Sequence, residues 1–194
     1  KKCVKECPYG ALSTIDGKVS WDMDKCQDCN KCLEVCEFNS SPKTREMTVN
    51  EIIQEIKKVS AFISGITVSG GECTLHADFL TELFKEVKKM ELTTFLDTNG
   101  FIYLKNLKGL MEVTDMVMLD IKSYDSEEHK KLTTMANDNV LKNFNYLTDV
   151  DKLYEVRTVI VPDLLDNKHN VDMISKMIGS IRSNIRYKLI KYRP

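Results

Sequence analysis

A regular alternation of strand-like and helix-like segments from residue 46 onward is the feature that most constrains the fold. Runs rich in β-branched and aromatic residues predict strands at 62–70, 93–99, 115–122, 153–162 and 186–192. Apolar residues at helical spacing predict helices at 102–112, 126–132, 138–149 and 170–183, with two more carrying apolar stripes within 52–59 and 79–90. Strands that alternate with helices pair in parallel, so residues 46–194 are expected to form an α/β domain around a parallel sheet.

Short polar motifs stand where the predicted strands end. They are SGGE at 69–72, DTNG at 97–100, DIK at 120–122, VP at 161–162 and KYR at 191–193. Parallel α/β folds build their sites at the C-terminal ends of the strands, so we expect these motifs to converge on one edge of the sheet. Gly70 and Gly71 lack the Cβ that would keep a ligand from the backbone, and Glu72 can accept a hydrogen bond from an ammonium group. Taken alone, the two glycines also fit a simple turn.

Asp97 and Asp120 each close a strand directly after apolar residues. Such a carboxylate could bind a cation, cap the following helix or, at Asp120, pair with Lys122. Lys122 is also suited to anchor a carboxylate of a ligand. The three histidines lie far apart in the sequence, and we assign His129 no catalytic role. Cys73 is interpreted as a small packed side chain rather than a reactive thiol.

Residues 1–45 differ from the rest because they are rich in turns and contain six of the seven cysteines. The spacing C-x2-C-x2-C-x3-C over 26–36 is typical of iron–sulfur proteins, and Cys7 followed by proline matches the end of a second such run. In two-cluster ferredoxins the fourth cysteine of each run ligates the other cluster. That rule assigns one [4Fe-4S] cluster to Cys7, Cys26, Cys29 and Cys32, and half of a second cluster to Cys3 and Cys36. A zinc ribbon is the alternative, since paired C-x2-C steps also bind zinc.

Charge and hydropathy exclude several classes of partner. The 28 Lys and Arg residues against 29 Asp and Glu give a net charge of -1, so no broad positive field attracts nucleic acid or an anionic membrane. No apolar run approaches the roughly 18 residues that span a bilayer. Clustered cysteines favour metal ligation in a reducing compartment, so we expect a cytoplasmic protein.

Together these motifs resemble the glycyl-radical enzyme activating enzymes of the radical S-adenosylmethionine (SAM) superfamily. The ferredoxin-like cysteines are followed in order by TVSGGE, FLDTNG, VMLDIKSYDSEEHKKLT and VRTVIVP, and the ending LIKYRP is most similar to the YjjW-like branch. The resemblance implies a partial (βα)6 TIM-like barrel over 46–194, preceded by a ferredoxin-like iron–sulfur domain over 1–45. It also implies that SAM is cleaved reductively and that hydrogen is removed from a glycine of a partner glycyl-radical enzyme, with a flavodoxin or ferredoxin as reductant.

Carried over by position, the resemblance gives roles to the strand-end residues. The residues expected to contact the methionyl amino group of SAM are Gly70, Gly71 and Glu72. Lys122 would meet the SAM carboxylate. The residues that resemble a monovalent-cation site beside that carboxylate are Asp97, Thr98, Met118 and Asp120. Arg157 falls where the family has an arginine at the barrel edge, and Arg193 stands where some relatives have a histidine near the cofactor.

The family binds its radical cluster through C-x3-C-x2-C, and this spacing is not completed here, because Gly10 stands where Cys3-x3-Cys7 would need a third cysteine. We therefore expect an internal fragment of a longer protein, with the radical-cluster motif and the first barrel strand upstream of Lys1. Such a fragment would be inactive alone, and we assign it no catalytic residue. Two alternatives stay open, a ferredoxin-like electron carrier on an inert α/β scaffold and a radical SAM enzyme that acts on a small molecule.

Overall fold

The computed structural model describes residues 1–38, 40–181 and 184–192. It divides into two compact units, residues 1–48, here called the cysteine unit, and residues 49–194, here called the sheet unit. The helices are α1 Lys2–Lys5, α2 Lys31–Glu34, α3 Val49–Val59, α4 Ala77–Lys88, α5 Lys108–Val113, α6 Ser126–Thr133, α7 Asp138–Asp149 and α8 Asn167–Gly179. The strands are β1 Leu12–Ile15, β2 Lys18–Trp21, β3 Gly65–Val68, β4 Thr93–Thr98, β5 Met116–Asp120, β6 Leu153–Ile160 and β7 Arg186–Lys191.

The sheet unit contains one five-stranded parallel sheet in the order β3-β4-β5-β6-β7, which is also the order along the chain. The register places Asp97 opposite Met118 on the neighbouring strand, and Asp120 opposite Arg157 on the next. The expected α/β fold with a parallel sheet is therefore confirmed. The predicted strand ends also meet at one edge, because all five strands run in the same direction.

The two faces of this sheet differ in chemistry because successive residues of a strand point to opposite sides. One face belongs to the hydrophobic core, where Leu96, Leu119 and Val156 are completely buried. Helices cover it with apolar residues at helical spacing, namely Leu80, Leu83, Phe84, Val87, Val140, Phe144 and Leu147. The other face has polar side chains, namely Asp97, Asp120, Glu155 and Arg157, together with Met118.

Two boundaries differ from the sequence prediction for reasons of tertiary structure. The strand predicted at 62–70 starts only at Gly65, since Ser60–Phe62 form a short 3-10 turn in which Phe62 is exposed. A Cβ on Gly65 would lie 1.9 Å from Oγ1 of Thr93, so only glycine allows β3 to approach β4 this closely. The helix predicted at 102–112 starts at Lys108, and the preceding loop is held by Asn143, as described below.

The cysteine unit has more regular structure than the sequence analysis expected, because β1 and β2 form an antiparallel hairpin. Asp16 and Gly17 connect the strands, both with positive φ, which is the geometry that favours Asp-Gly in two-residue hairpin turns. Among the described residues of this unit, the buried apolar side chains are Ala11, Leu12 and Cys32. The unit therefore has a very small apolar core.

In the ranges given above, no helix has both the length and the apolar character needed to cross a bilayer.

Candidate functional site

Glu72 organises the edge of the sheet where β3 and β4 end. Its Oε1 accepts hydrogen bonds from the hydroxyls of Thr74 (2.6 Å) and Thr98 (2.7 Å), and its Oε2 accepts one from the backbone N–H of Asn99 (2.8 Å). The carboxylate therefore ties the loop after β3 to the end of β4. The adjacent Gly70 and Gly71 have positive φ, and nothing lies within 4 Å of the position that a Cβ would take on either, so their backbone is open to a ligand.

Arg157 lies at the centre of the polar face of the sheet. Its guanidinium donates to Oδ2 of Asp97 (2.6 Å) and to Oε1 of Glu155 (2.6 Å), and its Nη2 lies 2.8 Å from the sulfur of Met118. Burial disfavours the charged guanidinium, but its hydrogen bond to Glu155 and the negative charge of Asp97 raise the pKa of Arg157 above its usual value. One cation thus links side chains of three neighbouring strands.

Lys122 lies two residues after the last residue of β5 and forms an ion pair with Asp120 at 2.5 Å. Of the residues that resemble a monovalent-cation site, Asp97 and Met118 contact Arg157, and the hydroxyl of Thr98 donates to Glu72. Asp120 faces the ammonium group of Lys122. The side chains of all four residues are thus engaged by other residues of the chain, and the monovalent-cation site stays a prediction.

A cavity of about 360 Å³, here called the edge cavity, opens beside these residues. It is lined by Glu72, Leu75, Asn99, Phe101, Lys122, His129, Thr133, Met135, Ala136 and Val140. Its walls are mostly apolar, and a carboxylate and an ammonium group are both present. Such a lining suits an organic ligand with charged groups at one end.

His129, to which the sequence analysis assigned no catalytic role, is a residue of this cavity. It is buried, and its Nδ1 lies 2.9 Å from the carbonyl oxygen of Met135. A carbonyl oxygen only accepts hydrogen bonds, so Nδ1 carries the proton in this contact. The sequence already indicated that His129 lies near the strand ends, because α6 begins shortly after the DIK motif.

Cys73 is packed, as its sequence context suggested. Its side chain is buried, and its thiol donates to the carbonyl oxygen of Asp97 at 3.4 Å. Burial, with the nearby charge of Glu72, raises the pKa of the Cys73 thiol to about 11. The thiol is therefore protonated and unreactive at neutral pH.

The cysteine unit brings the predicted cysteine ligands together in two groups. One cavity, here called the cysteine cavity, is lined by Cys7, Cys26, Cys29 and Cys32, together with Pro8, Tyr9, Ala11, Leu12, Trp21, Gln27, Asn30, Lys31 and Lys43. A separate pocket is lined by Cys3 and Cys36 with neighbouring residues. These are the two groups that the crossing rule of two-cluster ferredoxins gives. All seven cysteines are free thiols.

Backbone N–H groups and one lysine lie close to sulfur atoms of the cysteine cavity. The backbone N–H of Tyr9, with further N–H groups of the same turn, lowers the pKa of Cys7. Lys43 donates to Asp28 at 2.7 Å, which raises the pKa of Lys43, and the charges of Cys26 and Cys32 raise it further. The cavity therefore has a positive charge beside its sulfur atoms.

Two further points concern metals and the remaining predicted residue. Within the part of the chain that the structure describes, no group of three or more His, Cys, Asp or Glu side chains is arranged around a single ion position. In a [4Fe-4S] cluster, by contrast, each thiolate binds a different iron atom. Arg193 lies outside the described residues.

Comparison with known families gives one broad match. A model described as the radical SAM superfamily matches residues 2–174 of this chain.

Curated relatives are similar over most of the chain. An indoleacetate decarboxylase activating enzyme from Tractidigestivibacter scatoligenes is 32% identical, and the match covers 89% of this chain and 60% of that protein. A (2S)-3-sulfopropanediol sulfolyase activating enzyme from Bilophila wadsworthia is also 32% identical, covering 98% and 65%. A pyruvate formate-lyase-activating enzyme from Streptococcus mutans is 33% identical, covering 83% and 68%. The chain thus spans about two thirds or less of these relatives' length.

Among solved structures, a domain of a pyruvate-formate lyase-activating enzyme from Bacteroides vulgatus superposes with a TM-score of 0.60. It is 23% identical, and the match covers 67% of this chain and 81% of that one. Streptococcus suis SuiB gives a TM-score of 0.53 at 12% identity, covering 76% of this chain and 44% of that one. At these identities the likeness concerns the fold alone.

Proposed function

Because the chain belongs to the radical SAM superfamily and its relatives are activating enzymes of glycyl-radical enzymes, we propose that the protein is itself such an activating enzyme. In this function SAM is cleaved reductively and a hydrogen atom is removed from a glycine of the partner enzyme. A flavodoxin or ferredoxin would supply the electron. The observation that carries the proposal is the lining of the edge cavity by Glu72 and Lys122, at the end of parallel strands, in a chain of this family.

The residues of the edge cavity suit the amino acid end of SAM. The ammonium group of Lys122 is matched to a carboxylate, and it would share its charge between that group and Asp120. The open backbone at Gly70 and Gly71 lets an amino group approach the loop held by Glu72. When bound, SAM and its [4Fe-4S] cluster supply the radical chemistry, and these side chains bind and orient the cofactor.

The monovalent cation beside the SAM carboxylate stays a prediction from the sequence resemblance. Arg157 already neutralises Asp97, and Lys122 already neutralises Asp120. A bound monovalent ion would have to share the carboxylates of Asp97 and Asp120 with these two basic side chains.

We also propose that the cysteine unit is a ferredoxin-like domain that binds an auxiliary [4Fe-4S] cluster. Four cysteines lining one cavity provide the donor set of such a cluster, and Lys43 offsets part of its negative charge. Cys3 and Cys36 would contribute two ligands to a second cluster. The sequential parallel order of β3 to β7 further supports a partial (βα)6 barrel in the sheet unit.

The activity can be tested on the protein produced from its complete reading frame and reconstituted with iron and sulfide in the absence of oxygen. Addition of dithionite and SAM should release 5′-deoxyadenosine, and addition of the partner should yield a glycyl radical detectable by EPR. A protein with fully loaded clusters that releases no 5′-deoxyadenosine would contradict the proposal.

The role of Lys122 has a separate test. Lys122→Met should raise the dissociation constant of SAM about 10- to 100-fold, the value of a hydrogen bond to a charged group. Lys105→Met, which changes an exposed lysine of the same unit, is the matched control and should leave it unchanged. Equal affinity of the two variants would remove Lys122 from the SAM site.

A further inference from the structure

The indole N–H of Trp21 is a buried donor without an acceptor. Among the side-chain nitrogen and oxygen atoms of the described residues, Nε1 of Trp21 is the one that is closed to solvent and has no hydrogen-bond partner. Native proteins pair nearly all their buried polar groups, so an orphan of this kind calls for a partner that the protein atoms do not provide. Bound cofactors are one source of such partners.

The position of Trp21 points to the cysteine cavity. Trp21 ends β2 and lies opposite Leu12 in the hairpin, and both residues line the cavity with the four cysteines. The residue also borders a wider groove, which Val19 and Met23 line as well. An N–H that faced this open groove would be reached by solvent, whereas Nε1 is closed to it. We therefore place the N–H on the cavity side.

Sulfur is the acceptor that this cavity would offer. No cysteine sulfur is within hydrogen-bond reach of Nε1, so the acceptor has to arrive with a bound group. The residues around it include apolar ones, such as Pro8 and Ala11, which limit access of competing water. Inorganic sulfides of an iron–sulfur cluster accept hydrogen bonds from N–H groups, and such bonds help to set the reduction potential.

We propose that Trp21 donates a hydrogen bond from its indole N–H to a sulfur atom of the [4Fe-4S] cluster held by Cys7, Cys26, Cys29 and Cys32. This inference rests on the auxiliary cluster proposed above. Reduction adds negative charge to the cluster, and the N–H dipole stabilises that charge. Trp21 is thus a positioning residue that raises the reduction potential of the auxiliary cluster.

The test uses the 194-residue chain, reconstituted with iron and sulfide without oxygen. Trp21→Phe keeps an aromatic ring in the cavity but removes the N–H, and we expect the same iron and sulfide content with a midpoint potential shifted to a more negative value. The potential is measured by EPR-monitored titration. ENDOR, with D2O exchange to identify exchangeable protons, should show one proton coupling in the wild-type chain that is absent from Trp21→Phe. Phe62→Leu is the control, because it changes an exposed aromatic ring that does not line the cysteine cavity and should change neither quantity.

The outcomes separate this inference from the cluster on which it rests. A wild-type chain that binds less than one cluster overturns the cluster site. A loaded chain whose potential and proton couplings are the same in Trp21→Phe overturns the role of Trp21 alone. If the phenylalanine variant fails to load, incorporation of benzothienylalanine at position 21 replaces the N–H by sulfur at nearly constant shape. An unchanged potential in that protein would also overturn the inference.

Discussion

The two units of this chain are stabilised in different ways. The sheet unit packs helices against the apolar face of a parallel sheet, and side chains such as Phe84, Leu96 and Leu119 are completely buried. The cysteine unit buries Ala11, Leu12 and Cys32 among its described apolar residues, and its helices have four residues each. A unit with so little apolar burial gains little from the hydrophobic effect. Small domains of this kind usually depend on metals or disulfides.

Ligand binding and apolar packing therefore stabilise different units of the chain. Binding of a cluster can order the cysteine unit, because the free energy of metal binding is also free energy of folding. The core of the sheet unit needs no ligand for its own packing. Changes in one unit should therefore affect properties that changes in the other leave alone, and the following experiments test that separation.

The largest effect is expected from loss of a cluster ligand. Cys32→Ser should abolish binding of the auxiliary cluster, so that iron falls from about four atoms per chain to a small residual amount. Hydrogen exchange should then become fast throughout residues 1–48 and stay unchanged in the sheet unit. The control is Cys73→Ser, which changes a cysteine outside the cysteine cavity. Full iron content in Cys32→Ser would show that Cys32 is not a ligand of the auxiliary cluster.

Alkylation of the metal-free chain gives the next largest contrast. At pH 8 the thiolate fraction of a cysteine with a pKa of about 11 is smaller than that of an unperturbed cysteine by a factor of about 100 or more. Exposed Cys29 should therefore react with iodoacetamide rapidly, while buried Cys73 stays unmodified and begins to react only as the pH approaches 11. Peptide mass spectrometry over time measures both rates. Similar rates in the folded protein would contradict the packed environment of Cys73.

Truncation of a core aromatic residue should affect only the sheet unit. Phe84 is completely buried on α4, so Phe84→Ala should lower the free energy of unfolding of that unit by about 3–5 kcal/mol. Iron loading of the cysteine unit should be unaffected. Phe62→Ala, at an exposed phenylalanine of the same unit, should change the free energy by less than about 0.5 kcal/mol. Denaturant titrations followed by circular dichroism compare the two variants.

The smallest effect concerns a helix cap of the sheet unit. Asp125 accepts a hydrogen bond from the backbone N–H of Glu128 at 2.8 Å and caps α6, so Asp125→Ala should cost about 1 kcal/mol. Asp149→Ala removes an exposed carboxylate from the C-terminal end of α7, where it makes no favourable contribution to the helix dipole, and serves as the control. Thermal unfolding distinguishes them. Equal stabilities would mean that α6 does not depend on its cap.

Sequence reasoning predicted most of the sheet unit because local patterns determine its elements. The alternation of strands and helices and the apolar stripes of α4 and α7 are written in short windows of sequence. The start of α5 was placed too early because the loop before it is fixed by a distant residue. Asn143 on α7 bonds to the carbonyl oxygens of Gly100 and Ile102 and to the N–H of Leu104, contacts that join residues about 40 positions apart.

Contacts between residues far apart in the sequence also limited what could be predicted of the site. The strand-end motifs identified Glu72, Asp97 and Asp120 as polar residues at one edge, since parallel pairing alone brings strand ends together. The partner of Asp97 could not be read from its neighbourhood, because Arg157 lies 60 residues further along the chain. The hairpin of the cysteine unit was missed for another reason. Its Asp16-Gly17 signal was present, but it lay in a segment interpreted only through its cysteines.

The position of Trp21 has a practical consequence for spectroscopy. It is the single tryptophan of the sequence, and it lies at the end of the hairpin in the cysteine unit. Fluorescence excited selectively at tryptophan therefore follows the cysteine unit, whereas far-UV circular dichroism follows the helices that are concentrated in the sheet unit. If the units unfold at different denaturant concentrations, the two signals will give non-coincident curves. A midpoint taken from fluorescence alone would then describe the smaller unit rather than the chain.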